Sequence, residues 1–298
     1  MYTAVTVIVL LLTVSLLFSV RENTSSEKIS VVVTFYPLAE FAQQVGGDKV
    51  DVINITSGGV EPHDYEPSSQ DIIAIQNSDL FLINGNRLDT WALDLITDSE
   101  TTAVVMSEQA LVIDSNLVED PNLKDDPHFW LDPIIAQEIV SIITDKLSVV
   151  DPLNDEYYQQ NASRYISSIA ELNSEYYHGL SNCAMNKIVV SHRAFSYIGT
   201  RYNIEIINIS GISPEEEPSA KQLAQISELV KTEGIEFVFS ESLGSPELAQ
   251  TIATEVGVQM LELNPIEGLT KEQEENNESY ISIMKQNLIN LRTAMKCQ

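Results

Sequence analysis

Short runs of β-branched and aliphatic residues alternate with helical patterns along this chain, and the alternation occurs twice. The first series has runs at 30–35, 50–56 and 79–84, with helical patterns near 38–45, 68–77 and 90–97. The second series begins after Cys183, with runs at 187–191, 204–210, 237–241 and 259–263. Strands that alternate with helices favour parallel βαβ units. The sequence therefore predicts two α/β lobes with parallel sheets, at 28–150 and 183–298.

The segment between the two series, 151–182, carries one long helical pattern. Apolar residues recur at helical spacing at Tyr158, Ala162, Tyr165, Ile166, Ile169, Leu172, Tyr176 and Leu180. A helix over the patterned part, 154–180, would be about 40 Å long, enough to run along the side of both lobes. We therefore predict a stiff connector that limits closure of the lobes. His178 is out of phase with the apolar stripe, so we expect it to face solvent.

The other three histidines lie in separate segments that are typical of turns at strand ends. The segments are EPHDYEP around His63, DPHFWLDP around His128 and VVSHRAF around His192. The histidines are separated by 65 and 64 residues, which excludes a local zinc finger or an HExxH helix as the source of the ligands. A single histidine in such a loop is more often structural, but ligands of open parallel sheets collect at the carboxyl ends of strands. Together the three predict one metal site, with imidazole suited to Zn²⁺.

An apolar stretch occupies 4–20, and the first charged residue is Arg21. This pattern is typical of a secretion signal or a membrane anchor and places the rest of the chain outside the cytoplasm. Residues 1–3 carry no Lys or Arg, and no small-x-small cleavage site precedes Arg21. We assign 1–27 to this segment and favour an uncleaved anchor over a cleaved signal.

The charge of the chain is strongly negative, with 44 acidic and 16 basic residues and a net charge of −28. Repulsion from phosphates excludes nucleic acid as a partner. An acidic surface can concentrate divalent cations, although solubility in an extracellular setting is the favoured explanation.

Three more segments accompany the histidine segments: VVVTFYPLAEFAQQVGGDKVDV at 31–52, GISPEEEPSAKQL at 211–223 and SESLGSPELAQTIA at 240–253. From about Ile29 to the C-terminus the chain resembles the metal-binding solute receptors of zinc- and manganese-type ABC importers, the zinc-uptake receptor family. The resemblance implies two lobes joined by one long rigid helix, with the metal site in the cleft between them. It also implies a monomer that captures Zn²⁺ and delivers it to a permease and its ATPase, without catalysis.

The resemblance assigns a metal ligand to each of His63, His128 and His192. Manganese-type relatives usually carry Glu at the position of His192, so the imidazole favours Zn²⁺ over Mn²⁺ as the transported ligand. For the fourth ligand, relatives commonly have Asp where LELNPIEGL puts Asn264. The candidates are a water molecule, Glu61 and Asn264, in that order.

Carboxylates near the histidines are candidates for orienting the imidazole N–H groups. We consider Glu61, Asp64 and Asp132 for this role, with capping of turns as an equally good explanation. The loop at 115–129 has no histidine except His128, unlike the His-rich loop of many zinc receptors.

The two cysteines, Cys183 and Cys297, are too far apart for a CxxC motif. Outside the cytoplasm such a pair favours one disulfide, and some relatives carry cysteines at matching positions.

Three alternative functions are also compatible with the sequence. A manganese or iron receptor of the same family and a surface adhesin are both compatible with an acidic extracytoplasmic chain. A zinc hydrolase is a remote alternative, because three histidines with an open fourth position also hold catalytic zinc.

Overall fold

The structure is a computed structural model that describes residues 28–96, 101–111, 123 and 125–298. The predicted signal or anchor at 1–27 and most of the loop at 115–129 lie outside the described residues. Within the described residues, no helix has both the length and the apolar character needed to cross a membrane.

The first lobe is built on a four-stranded parallel sheet with the order β2-β1-β3-β4. Its strands are β1 (Ile29–Val33), β2 (Val50–Asn54), β3 (Leu80–Ile83) and β4 (Thr102–Val105). Its helices are α1 (Tyr36–Gly46), α2 (Ser69–Gln76), α3 (Thr90–Leu95), α4 (Met106–Ala110) and α5 (Pro133–Val150). The central strand β3 is buried along its whole length, as expected for a parallel sheet covered on both faces. The β4 strand and the α4 and α5 helices were not among the predicted elements.

One helix, α6 (Asp155–Gly179), connects the lobes and confirms the predicted long connector. Its 25 residues span about 38 Å at 1.5 Å per residue. Its buried side chains are Tyr158, Asn161, Ala162, Tyr165, Ile169, Leu172 and Tyr176, which follow the predicted apolar stripe. The helix packs against α1 and α5 of the first lobe and also against the last helix of the second lobe. His178 is exposed, as expected.

The second lobe repeats the topology of the first, with strands in the order β6-β5-β7-β8. Its strands are β5 (Lys187–Val190), β6 (Glu205–Asn208), β7 (Phe237–Ser240) and β8 (Gln259–Glu262). Its helices are α7 (Ser196–Tyr202), α8 (Ala220–Glu233), α9 (Glu247–Val256), α10 (Lys271–Glu275) and α11 (Tyr280–Met295). The predicted α/β fold class with two lobes and parallel sheets is therefore confirmed.

Buried residues from both lobes and from α6 form one continuous apolar core. The core contains Val33 of β1, Tyr176 of α6 and Tyr280 of α11, among others. The hydroxyl of Tyr176 donates a hydrogen bond of 2.7 Å to the carbonyl of Met284 in α11. The connector is thus fixed to both lobes by packing, which agrees with the expected stiffness.

A disulfide joins Cys183 to Cys297, as predicted. Two backbone hydrogen bonds lie beside the disulfide. Met185 donates to the carbonyl of Met295 at 3.1 Å, and Gln298 donates to that of Asn182 at 3.0 Å. The disulfide therefore fastens the end of α11 to the start of the second lobe.

Candidate metal centre

His63 lies in the loop that follows β2, in a single 3-10 turn at Pro62–Asp64. Gly58 and Gly59 precede this turn with φ values of 79° and 77°, a conformation that favours glycine. The Glu61 side chain caps the turn by accepting a hydrogen bond of 3.3 Å from the backbone N–H of His63. The loop thereby turns the imidazole of His63 towards the second lobe.

His128 is fully buried and comes immediately before the 3-10 turn Phe129–Leu131, which leads into α5. Its Nδ1 lies 2.8 Å from Oδ1 of Asp126, and its backbone N–H donates to the same oxygen at 3.0 Å. The Asn84 side chain, at the end of β3, donates to the carbonyl of Pro127 at 3.0 Å. These contacts fix the ring so that Nε2 points into the cleft.

His192 follows β5 by two residues and is also fully buried. Its Nδ1 lies 2.7 Å from Oε2 of Glu241, and its backbone N–H donates to Oε1 of the same carboxylate at 3.0 Å. Glu241 itself comes directly after β7. Both residues therefore lie at the carboxyl ends of neighbouring parallel strands, where ligands are expected.

Glu267 supplies the fourth side chain, from the loop that follows β8. Its Oε1 lies 3.3 Å from Nε2 of His63, 3.1 Å from that of His128 and 3.3 Å from that of His192. Among the described residues these four form the one group that could hold a metal ion, with all ligand atoms within 4.8 Å of one another.

Five of the six separations between these ligand atoms are close to those of a tetrahedral zinc site. Besides the Glu267 distances, Nε2 of His128 lies 3.2 Å from Nε2 of His63 and 3.2 Å from Nε2 of His192. Zinc bonds of about 2.0–2.1 Å at tetrahedral angles require ligand atoms about 3.3–3.4 Å apart. The group therefore has the ligand types and the close spacing that a Zn²⁺ site requires.

The structure places Glu267, rather than Glu61 or Asn264, beside the three Nε2 atoms. Asn264 is buried, but its Oδ1 accepts a hydrogen bond of 2.7 Å from the backbone N–H of Ile266, so it shapes the loop. Ile266 has a φ of 60°, uncommon for a β-branched residue, and this turn aims Glu267 at the histidines. Glu61 caps the turn of His63 and does not belong to the group.

The carboxylates that contact imidazole Nδ1 atoms are Asp126 and Glu241, and not those proposed from the sequence. Asp64 is exposed at the turn of His63. Asp132 caps α5 by accepting from the N–H of Ile134 and pairs with Arg201 at 2.7 Å. Asp126 could have been identified as the acid two residues before His128, and Glu267 as the first carboxylate after Asn264 in its loop.

Glu267 and His192 shift each other's pKa values. Burial by itself raises the pKa of Glu267, but the nearby charge of His192 and hydrogen bonds from the three imidazoles hold it well below its usual range. Burial lowers the pKa of His192, but the carboxylates of Glu241 and Glu267 raise it well above its usual range. Without a metal, a protonated His192 therefore compensates the charge of Glu267.

The pKa of Glu61 is shifted in the opposite direction to that of Glu267. Burial, followed by repulsion from Glu267, raises the pKa of Glu61 to about 9. In the metal-free protein this side chain is therefore protonated at neutral pH, and it caps the turn of His63.

The two-lobed fold, the stiff connecting helix and a buried site of three histidines and one glutamate define a metal-binding solute receptor. The family described as "Zinc-uptake complex component A periplasmic", ZnuA, matches residues 31–294, and the chain belongs to this family.

Relatives and solved structures agree with this assignment. The high-affinity zinc uptake system protein ZnuA of Bacillus subtilis (strain 168) is 34% identical over 285 residues, which cover 92% of this chain and 89% of that protein. The zinc-binding lipoprotein AdcA of Streptococcus pneumoniae (strain R6) is 34% identical over 280 residues, covering 90% of this chain and 56% of that longer protein.

The crystal structure of the Zn(II)-bound ZnuA-like domain of Streptococcus pneumoniae AdcA is 35% identical with a TM-score of 0.78, and the match covers 90% of this chain and 99% of that chain. The laminin-binding protein Lmb of Streptococcus agalactiae, described as a bifunctional protein with adhesin and metal transporting activity, is 32% identical. Its TM-score is 0.80, with 90% of this chain and 99% of that chain covered.

Proposed function

We propose that this protein is an extracytoplasmic receptor that binds Zn²⁺ through His63, His128, His192 and Glu267. It delivers the ion to a membrane permease driven by an ATPase, as its family does in zinc uptake. Zinc is the cargo of the protein and takes part in no reaction on it.

The observation that carries this proposal is that the lone pairs of the histidine Nε2 atoms and of Glu267 Oε1 point towards one another. Asp126 and Glu241 lie beside Nδ1 of His128 and His192, which favours the neutral tautomer with its proton on Nδ1. The Nε2 atoms of these two rings then present lone pairs only 3.2 Å apart, and both face Oε1 of Glu267. Such a group is stable only with a cation at its centre, either a proton or a metal ion.

The donor set favours zinc over manganese. Three imidazole nitrogens and one carboxylate oxygen in a tetrahedral arrangement suit Zn²⁺, whereas Mn²⁺ prefers an octahedral shell richer in oxygen. The carboxylates of Glu267, Asp126 and Glu241 also offset the charge of a divalent ion in a buried position.

The same geometry supports binding rather than catalysis. Catalytic zinc keeps one coordination position for water or substrate, whereas here protein atoms occupy all four corners. His128, His192 and Glu267 are at most 1% exposed, which leaves little access for a substrate. These features favour a receptor over the zinc hydrolase considered from the sequence.

We further propose the organisation inferred from the sequence: a signal or anchor at 1–27, a first lobe at 28–150, a linking segment at 151–182 and a second lobe at 183–298. Two ligands come from each lobe of a single chain, so the site is complete without a second subunit. The protein is accordingly proposed to act as a monomer.

Metal analysis of the purified protein tests the proposal. We expect about one Zn²⁺ per chain by mass spectrometry, in keeping with a single four-ligand site. Competition titration should give much tighter binding of Zn²⁺ than of Mn²⁺ or Fe²⁺. A protein that retains Mn²⁺ or Fe²⁺ in the presence of equimolar Zn²⁺ would instead be a receptor for those ions, and one that binds no divalent metal would refute the proposal.

A further inference from the structure

Trp130 connects the histidine loop of the first lobe to the glutamate loop of the second. It lies two residues after His128, is fully buried and has its ring 5.2 Å from the imidazole of His128. Its indole Nε1 donates a hydrogen bond of 2.8 Å to the carbonyl of Pro265, two residues before Glu267. Its own carbonyl accepts a hydrogen bond of 2.7 Å from the hydroxyl of Tyr280, at the start of α11. One residue thus contacts the chain on both sides of the cleft.

The loop that carries Glu267 is held from two directions. On the side of α11, Asn287 brackets Asn264: its Oδ1 accepts from the backbone N–H at 2.9 Å, and its Nδ2 donates to the carbonyl at 2.7 Å. On the side of the first lobe, the hydrogen bond from Trp130 fixes the carbonyl of Pro265. Only the turn at Ile266 separates this fixed carbonyl from the Glu267 carboxylate.

We propose that Trp130 is a positioning residue that sets the place of Glu267 relative to His128. This inference rests on the proposed zinc-binding function. It adds a mechanism by which the two lobes hold their metal ligands at the correct distance from one another. The indole N–H donates to the Pro265 carbonyl while the ring lies beside the tilted ring of His128, so a movement of the first-lobe turn displaces the second-lobe loop. Phe35 also packs against the indole, with ring centroids 4.6 Å apart in an edge-on arrangement.

Loss of the indole N–H should therefore act on zinc through Glu267. Without this donor the Pro265 carbonyl is buried and unpaired, and the loop relaxes to find another partner. Outer partners of metal ligands typically change metal affinity by about tenfold to a hundredfold when they are removed. The effect is specific to the contribution of the carboxylate, which distinguishes positioning from general packing.

The Trp130→Phe variant tests this, because phenylalanine keeps an aromatic ring but has no N–H. We expect Zn²⁺ affinity to fall about tenfold, in line with loss of an outer partner. The matched control is Trp91→Phe at the other tryptophan, whose Nε1 has no hydrogen-bond partner among the described residues. This control should keep the affinity of the wild type.

A double-mutant cycle with Glu267→Gln decides the mechanism. If Trp130 acts through Glu267, then Trp130→Phe should weaken zinc binding in the wild type and have little further effect in Glu267→Gln. Equal losses in both backgrounds, or no loss in the wild type, would overturn the inference while leaving the receptor function intact. A wild type that binds no zinc would instead refute the proposed function.

Tyr280→Phe provides a second variant in case Trp130→Phe does not fold. It removes the hydrogen bond to the Trp130 carbonyl and keeps the ring. We expect a smaller loss of zinc affinity that again disappears in the Glu267→Gln background. Additive losses with Glu267→Gln would contradict the positioning role.

Discussion

His128 Nε2 and Glu267 Oε1 are 139 residues apart in the chain and 3.1 Å apart in space. The first belongs to one lobe and the second to the other, and His63 and His192 divide in the same way. The site therefore exists only when the two lobes have their native arrangement. Packing of α6 against both lobes, together with Trp130, keeps that arrangement.

Substitution of the histidines should separate ligands from bystanders. Changing His63, His128 or His192 to Ala should each weaken Zn²⁺ binding by at least about tenfold to a hundredfold, because a coordinate bond and its supporting contacts are lost. Competition titration with a chelator measures this. His178→Ala is the control, since that side chain is exposed on α6, and its affinity should not change. Equal affinities in all four variants would rule out the site.

The fourth ligand can be tested by comparing Glu267→Gln with Asn264→Asp. Glu267→Gln should weaken zinc binding at least about tenfold, because a neutral amide oxygen is a poorer ligand than a carboxylate. Asn264→Asp should not tighten the binding of Zn²⁺ or Mn²⁺.

Instead, Asn264→Asp should destabilise the protein by at least about 1 kcal/mol, because it buries a charge at a position that shapes the loop. Thermal unfolding and metal titration of the same variant measure the two effects. Tighter Mn²⁺ binding by Asn264→Asp would place residue 264 in the coordination shell and contradict the structure.

Zinc binding should depend steeply on pH and release protons. Glu241 and Glu267 raise the pKa of His192, so its ring carries a proton in the metal-free protein at pH values where an ordinary histidine is neutral. Zinc must displace this proton, so affinity should rise with pH through the titration of His192 and fall at low pH, where protons compete with zinc for the imidazoles. Calorimetry in buffers of different ionisation enthalpy reports the protons released.

The stability of the metal-free protein should pass through a maximum as pH changes. The raised pKa of His192 contributes stability that is complete below its unfolded pKa and is lost as pH rises through the folded value. The lowered pKa of Glu267 contributes stability that is complete above its unfolded value and is lost as pH falls through the folded one. The pair therefore stabilises the metal-free protein most between about pH 4.5 and 6.5. Glu267→Gln should flatten this profile in thermal unfolding, and an unchanged profile would count against the ion pair.

Reduction of the Cys183–Cys297 disulfide should lower stability without releasing zinc. The bond closes a sequence separation of 114 residues, for which the chain-entropy model gives about 4–5 kcal/mol. Thiol labelling of the unfolded, unreduced protein should find no free thiol, and reduction should lower the melting temperature while the metal content stays constant. Two reactive thiols before reduction would contradict the structure.

Much of the architecture was determined locally. The spacing of apolar residues along a segment reflects which of its faces is buried. Because this spacing can be read within a short segment, it predicted both sheets and the long helix. The β4 strand escaped prediction because only one of its four residues, Val104, is buried, so its pattern is weak.

The sequence by itself also determined the chemical character of the site. Three of the four histidines lie in turns at strand ends, and this arrangement indicated one zinc site because imidazole is a ligand well suited to Zn²⁺. What it did not determine was the fourth ligand. Asn264, Glu61 and Glu267 are all polar residues in loops, and loop conformation depends on contacts with distant elements.

The tertiary structure places Glu267 beside the histidines through the turn at Ile266, the two hydrogen bonds between Asn287 and Asn264, and the hydrogen bond from Trp130 to Pro265. These contacts join segments up to 135 residues apart, so no local pattern encodes them. The same holds for Asp126 and Glu241, whose roles depend on which ring nitrogen they meet. Sequence determines which residues can bind the metal, and packing determines which of them reach it.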